Sequence, residues 1–160
     1  MILVTLGTQD KKFYRLLEAL EDKINQHLIK DEVIVQAGCS SDFKSKSMKI
    51  FDLIPMDEFD DMIKKCDILI THGGVGSIIT GLKNNKKVIA AARLSKYNEH
   101  VNDHQLQIID NFEKEGYILK LDNFNDIDKL IEQTTKFKPK KFKSNTSNMI
   151  DLVDKEINNE

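Results

Sequence analysis

Two short stretches of the 160-residue chain gather most of what could do chemistry. The first is Thr71-His72-Gly73-Gly74-Val75-Gly76-Ser77, set between the apolar run Ile68-Leu69-Ile70 and a helical pattern through Ile78, Ile79 and Leu82. A strand, a glycine turn and a helix in that order aim free backbone N–H groups at an anion, with the positive end of a helix dipole behind them. Glycine lets a phosphate approach the backbone closely and tolerates positive φ. The plain alternative is a tight turn with no ligand, because a glycine motif alone is weak. His72 beside Ser77 suggests a nucleophile and base, but no GxSxG elbow is present, and Ser77 reads better as a helix cap.

The second stretch is Asn98-Glu99-His100-Val101-Asn102-Asp103-His104-Gln105. Polar groups this dense at the start of a helix can form many hydrogen bonds to sugar hydroxyls. Capping by Asn98 or Asn102 alone would use only one or two of them. His100 and His104 stand four apart, as metal ligands on a helix do, but no third ligand is near and no metal is expected.

What the chain lacks is also informative. There is no GxxxxGK[ST] P-loop. The first strand-to-helix turn carries no GxGxxG, so a nicotinamide-dependent enzyme is disfavoured and no cofactor is expected.

Alternating elements must position these stretches. Buried strands are expected at Ile2–Leu6, Val33–Gln36, Lys49–Leu53, Ile68–Ile70, Lys87–Ala92 and Tyr117–Leu121. Between them lie amphipathic helices. One of about five turns runs from Phe13 to Leu28. Others span Asp57, as cap, to Cys66, then Ser77 onward, Val101 to Glu115, and Asp126 to Thr134. Apolar strands alternating with helices describe an α/β domain, a single Rossmann-like doubly wound parallel sheet. Ligands of such sheets bind beyond the carboxyl ends of the strands, where the turns at Gly7-Thr8, Gly38, Ile54-Pro55 and His72 to Ser77 all fall.

The domain should occupy residues 1–135, with a basic linker and C-terminal helix over 136–160. Five lysines between Lys136 and Lys143 surround Phe137, Pro139 and Phe142, a pattern that usually marks a solvated linker. Alternatively, each lysine could add about 1 kcal/mol of attraction to anionic lipid. Met149, Leu152, Val153 and Ile157 would share one face of the expected terminal helix. The chain has 24 Lys+Arg against 26 Asp+Glu, which argues against a nucleic-acid partner. No apolar run approaches the ~20 residues of a membrane span, and Met1–Leu6 lacks the charged lead and long apolar stretch expected of a signal peptide. Cys39 and Cys66 form neither a CxxC nor a disulfide framework. A cytoplasmic chain is expected, with any membrane contact peripheral.

Together, THGGVGSI (Thr71 to Ile78) and YNEHVNDHQ (Tyr97 to Gln105) resemble the donor-binding half of a GT-B glycosyltransferase, the family 28 C-terminal domain. Closer still are small single-domain subunits. These are the catalytic subunit of the eukaryotic dolichol-linked UDP-GlcNAc transferase and the bacterial PssE-type subunits of exopolysaccharide or capsule synthesis. The resemblance runs from Ile2 to about Leu121.

It implies that His72, Gly73, Gly74, Val75, Gly76 and Ser77 hold a UDP diphosphate, and that Leu53, Ile54, Pro55 and Met56 pack and hydrogen-bond the uracil. Asp103 and Gln105 would grip the donor sugar, with Glu99 and His100 beside them. Gly7, Thr8 and Gly38 would line the cleft between two domains. Thr80 stands where the family often has a ribose-binding glutamate. The function implied is the donor-binding, catalytic subunit of a two-component inverting glycosyltransferase. It would use UDP-galactose or UDP-N-acetylglucosamine to extend a lipid-linked saccharide in polysaccharide synthesis. A membrane-associated partner would carry the acceptor site and recruit this chain to the inner face of the membrane. No catalytic base is assigned. A non-catalytic nucleotide-binding regulatory module is the alternative.

Overall fold

In the computed structural model, which describes residues 1–142, six strands form one sheet in the order β3-β2-β1-β4-β5-β6. The strands are β1 (Ile2–Thr5), β2 (Val33–Gln36), β3 (Lys49–Phe51), β4 (Ile68–His72), β5 (Lys87–Ala91) and β6 (Leu119–Lys120). Every adjacent pair is parallel. The helices are α1 (Tyr14–Asn25), α2 (Met56–Lys65), α3 (Val75–Lys83), α4 (His104–Lys114) and α5 (Ile127–Gln133). The expected alternation and the doubly wound sheet are both present.

The strands are apolar on both faces because both faces are covered. Ile2 and Val4 of β1 and Ile68 and Ile70 of β4 point into a core with Leu16, Leu17 and Leu20 of α1 and Ile127 of α5. Leu3, Leu69 and Val88 point the other way, against Ile63 of α2, Ile78 and Leu82 of α3, and Ile108 and Phe112 of α4. In the central strands β1, β4 and β5 the period of two therefore assigns alternate apolar residues to one core or the other. Strand order reverses between β1 and β4, which pair in register from Ile2↔Ile68 to Thr5↔Thr71. Beyond that point the loops diverge to opposite faces and leave a crevice.

Several element ends differ from expectation. α1 has twelve residues, not five turns, and closes at Asn25 before His27 takes a positive φ of 61°. Asp57 is not a cap: α2 starts at Met56 with Pro55 before it, so Asp57 sits in the first turn and complements the dipole there. Ser77 is not a cap either, because α3 begins two residues earlier, at Val75, with Gly74 in the cap position. α4 starts at His104 and not at Val101, and Asn102 accepts the His104 N–H at 2.9 Å.

Residues 136–142 of the basic run keep their lysines exposed, as a solvated segment would, yet touch the domain at three points. Lys140 N–H donates to the Gly116 carbonyl at 3.0 Å, Lys87 Nζ donates to the Phe137 carbonyl, and the Phe142 ring meets Tyr117 edge-on at 5.5 Å. The expected terminal helix through Met149 and Ile157 lies outside the described residues. Among the described residues no helix is long and apolar enough to cross a membrane.

Candidate functional site

The first backbone hydrogen bond of α3 runs from Ile78 N–H to the Gly74 carbonyl. The N–H groups of Val75, Gly76 and Ser77 are thus the unpaired donors of its first turn. α3 begins directly after β4, at the carboxyl edge of the sheet and at the switch point. Gly76 and Ser77 open onto a cavity of about 420 Å³. Its other walls are Thr8 after β1, Leu53, Ile54 and Met56 from the β3–α2 connection, Phe59 and Asp60 of α2, and Thr80 of α3.

Two stretches far apart in sequence, 53–56 and 76–77, therefore meet around one space. Leu53 and Met56 are 63% and 75% exposed, an unusual placement for apolar side chains, and none of the described residues covers them. Ile54 is held in place by its N–H, which donates to Gln36 Oε1 at 2.9 Å. Pro55 precedes α2 and has no place in the cavity wall. Thr80 Oγ1 donates to the Gly76 carbonyl one turn back, at 2.8 Å.

The three glycines of the turn do different things. A Cβ on Gly74 would lie 2.4 Å from Cε1 of His72, and one on Gly73 would lie 2.5 Å from Cβ of Gln105. A Cβ on Gly76 would meet nothing within 4 Å. So Gly73 and Gly74 are small because the protein itself fills their space, and Gly76 alone is small toward open space. Gly7 belongs with the first group. Its φ is +78°, and a Cβ there would lie 2.6 Å from Nε2 of His72. Gly38 also has positive φ and packs against the Gly7 carbonyl, which joins the turns after β1 and β2.

His72 is buried between Gly7 and Gly74, and its pKa is pushed down to about 3, first by burial and then by the Arg93 guanidinium. It is neutral at physiological pH. Its Nδ1 lies 3.1 Å from Nε2 of Gln105. Gln105 is itself buried, and its Oε1 accepts both the Gly73 N–H and the Arg93 N–H, each at 3.1 Å.

The rest of the second stretch forms a scaffold beside this. Glu99 is buried and accepts from Arg15 Nε and Nη2 at 3.1 and 3.0 Å and from Leu94 N–H at 3.0 Å. Asp103 accepts from the N–H and hydroxyl of Ser95, and the backbone bond first of all holds its carboxyl below the usual range. His100 is buried, and its Nδ1 accepts from Asn102 N–H at 3.3 Å. Because α4 starts only at His104, His100 and His104 do not share a helix face as an i, i+4 metal pair requires. Among the described residues no group of three or more His, Cys, Asp or Glu side chains could hold a metal.

Arg93, which the spacing of neither motif marks, is the largest fully buried side chain among the described residues. Its guanidinium donates to the carbonyls of Leu6, Lys11 and Glu99, and its carbon lies 5.0 Å from the Phe13 ring centre. It ties the turn after β1 to the loop after β5. The signal in the sequence is a lone cation at the end of a buried apolar run, Val88 to Ala92, where the chain has not yet reached the surface. Gln36 was missed for a simpler reason: a polar last residue of a strand carries no pattern.

A doubly wound sheet whose glycine turn and apolar β3–α2 loop share a cavity at the switch point has its crevice where sheets of this kind bind their ligands. The chain belongs to the glycosyltransferase family 28 C-terminal domain family, whose profile matches residues 1–157. Among curated proteins it is 28% identical over 104 residues to the UDP-N-acetylglucosamine transferase subunit ALG13 of Candida glabrata, covering 64% of this chain and 48% of that one. It is 27% identical over 129 residues to the ALG13 subunit of Debaryomyces hansenii, covering 74% and 57%. The chain thus spans about half the length of these relatives.

Among solved structures, the solution structure of ALG13 superposes with a TM-score of 0.63 at 21% identity, covering 95% of this chain and 93% of that one. The glycosyltransferase of kitacinnamycin gives 0.60 at 13% identity, with 99% of this chain covering 38% of that one. These likenesses show the fold: one half of a GT-B glycosyltransferase.

Proposed function

We propose that this chain is the donor-binding, catalytic subunit of a two-component inverting glycosyltransferase whose donor is UDP-N-acetylglucosamine. The observation that carries the reading is the shared cavity. Leu53 and Met56 offer an apolar wall to a base, and the N–H groups of Gly76 and Ser77 offer donors to a diphosphate. Fixed dipoles of this kind ease departure of the diphosphate most strongly in a water-excluded site. The relatives' names point to the N-acetylglucosamine donor over UDP-galactose. Nothing in those names bears on exopolysaccharide or capsule, so a lipid-linked saccharide is the acceptor class we adopt, without a pathway.

Inversion also needs a base to take the proton of the acceptor hydroxyl. Glu99 is committed to Arg15 and Asp103 to Ser95. This supports a base, with the acceptor site, supplied by a membrane-associated partner at the cytoplasmic face. Calorimetry with UDP, UDP-N-acetylglucosamine and UDP-galactose tests the donor, and turnover with the partner tests the reaction. Binding of UDP with no turnover on any partner would leave a regulatory nucleotide-binding module. Absence of UDP binding would end the reading.

A further inference from the structure

Gln105 carries a consequence for His72 that follows from counting donors. Two backbone N–H groups, of Gly73 and Arg93, converge on one end of its buried amide. That end must be the oxygen, because an NH₂ group there would face two donors. The other end is then NH₂, and it lies 3.1 Å from Nδ1 of His72. An amide NH₂ can only donate, so Nδ1 accepts and carries no proton. The ring is neutral, with burial and the neighbouring Arg93 and His100 opposing its charge, so the proton sits on Nε2. Nε2 lies packed between Gly7 and Gly74, at the carboxyl edge of β1 and β4. Among the described residues the ring's hydrogen bond is the one at Nδ1.

We propose that Gln105 is a positioning residue: it locks His72 in the Nε2–H form and ties the Gly73 turn to it, so that the imidazole can only donate, never accept, toward the diphosphate beside the start of α3. Gln105 thereby reads the nucleotide through His72 instead of reading the sugar. An Nδ1–H tautomer would turn a lone pair toward the phosphate and repel it. The diphosphate contact rests on the UDP reading above, whereas the tautomer is a property of the free protein.

The test therefore has two arms. Nitrogen-15 spectra of the histidine rings in the unliganded full chain report which nitrogen is protonated. The expected result is Nε2–H for His72 from pH 5 to 8; an Nδ1–H or mixed ring overturns the proposal whether or not UDP binds. Calorimetry with UDP and UDP-N-acetylglucosamine is then run on the wild type, Gln105→Met, His72→Asn and the double variant. Gln105→Met should weaken both ligands by the same factor, about tenfold, the scale of one hydrogen bond to a charged group. It should add little in the His72→Asn background, because residues acting through one contact are not additive. A loss confined to the UDP-sugar, or fully additive losses, would overturn the proposal. If Gln105→Met fails to fold, the wild-type spectrum and His72→Asn still decide: wild-type affinity for UDP without the imidazole refutes the donor role. A wild type that shows Nε2–H and binds no UDP would refute the UDP reading alone.

Discussion

At the scale of single residues, the glycine turn separates what folding needs from what a ligand needs. Gly74→Ala puts a methyl 2.4 Å from the His72 ring, and overpacking of that kind costs about 1–3 kcal/mol. Gly76→Val meets open space in the first turn of a helix, where glycine is itself a weak residue. The expected outcome is a Gly76→Val protein with an unchanged melting temperature and UDP affinity reduced at least tenfold, and a Gly74→Ala protein that melts lower. Calorimetry and thermal melts on the two variants check this. A second expectation concerns pH. His72 is held at a pKa of about 3 in the fold and returns to an ordinary value near 6.5 on unfolding. Above pH 6.5 it is neutral in both states and contributes nothing. Below that the unfolded chain binds the extra proton, so stability falls as pH falls, until the folded ring also protonates near pH 3. Between pH 7 and 5 the loss should be about 2 kcal/mol, and His72→Asn should remove it in urea unfolding at the two pH values.

At the scale of elements, the Arg15–Glu99 pair joins α1 to the loop that leads into α4. The guanidinium lies 4.3 Å from the Tyr97 ring centre and 3.9 Å from that of Phe124, and Glu99 is nearly inaccessible. Arg15→Ala strands a buried carboxylate and should destabilise the fold by about 3 kcal/mol. Pairing Arg15→Met with Glu99→Leu removes both charges and should recover part of that loss in denaturant titrations. The pair also shows where the sequence was legible and where it was not. Strand and helix order could be read because burial on two faces makes a strand a continuous apolar run, as in Ile2 to Val4 and Ile68 to Ile70, whereas one-sided burial gives a helix its apolar period. The meeting of 53–56 with 76–77 could be placed on one sheet edge by topology. Partnerships between polar side chains could not. Glu99, Asp103 and Gln105 stand together in the sequence as if facing one ligand, yet each closes a different contact within the protein. Their partners Arg15, Ser95 and Gly73 lie on three separate segments that only the folded chain brings near. Helix starts were misread for a related reason. Asp57 and Ser77 are cap-type residues, but Pro55 and Gly74 already set the turn ahead of them.

At the scale of the whole molecule, one six-stranded sheet presents one carboxyl edge, and that edge is unusually apolar on both sides of the crevice. Leu53 and Met56 stand exposed on the β3–α2 side, and Tyr97 and Val101, 50% and 74% exposed, on the β5–α4 side. Under the proposed function the acceptor site belongs to a partner polypeptide, and this edge is where that partner closes over the donor. The purified chain should then bind UDP-N-acetylglucosamine yet transfer nothing to a lipid-linked acceptor until the partner is added. Val101 touches neither the cavity wall nor the Gln105–His72 contact, so Val101→Asp isolates docking from donor binding. It should leave UDP affinity unchanged while weakening co-purification with the partner at least tenfold, the cost of burying an unpaired charge. Removal of residues 144–160 should leave co-purification intact if this edge is the dock and abolish it if the terminal segment is. Full transferase activity from the chain alone would refute the split-enzyme reading.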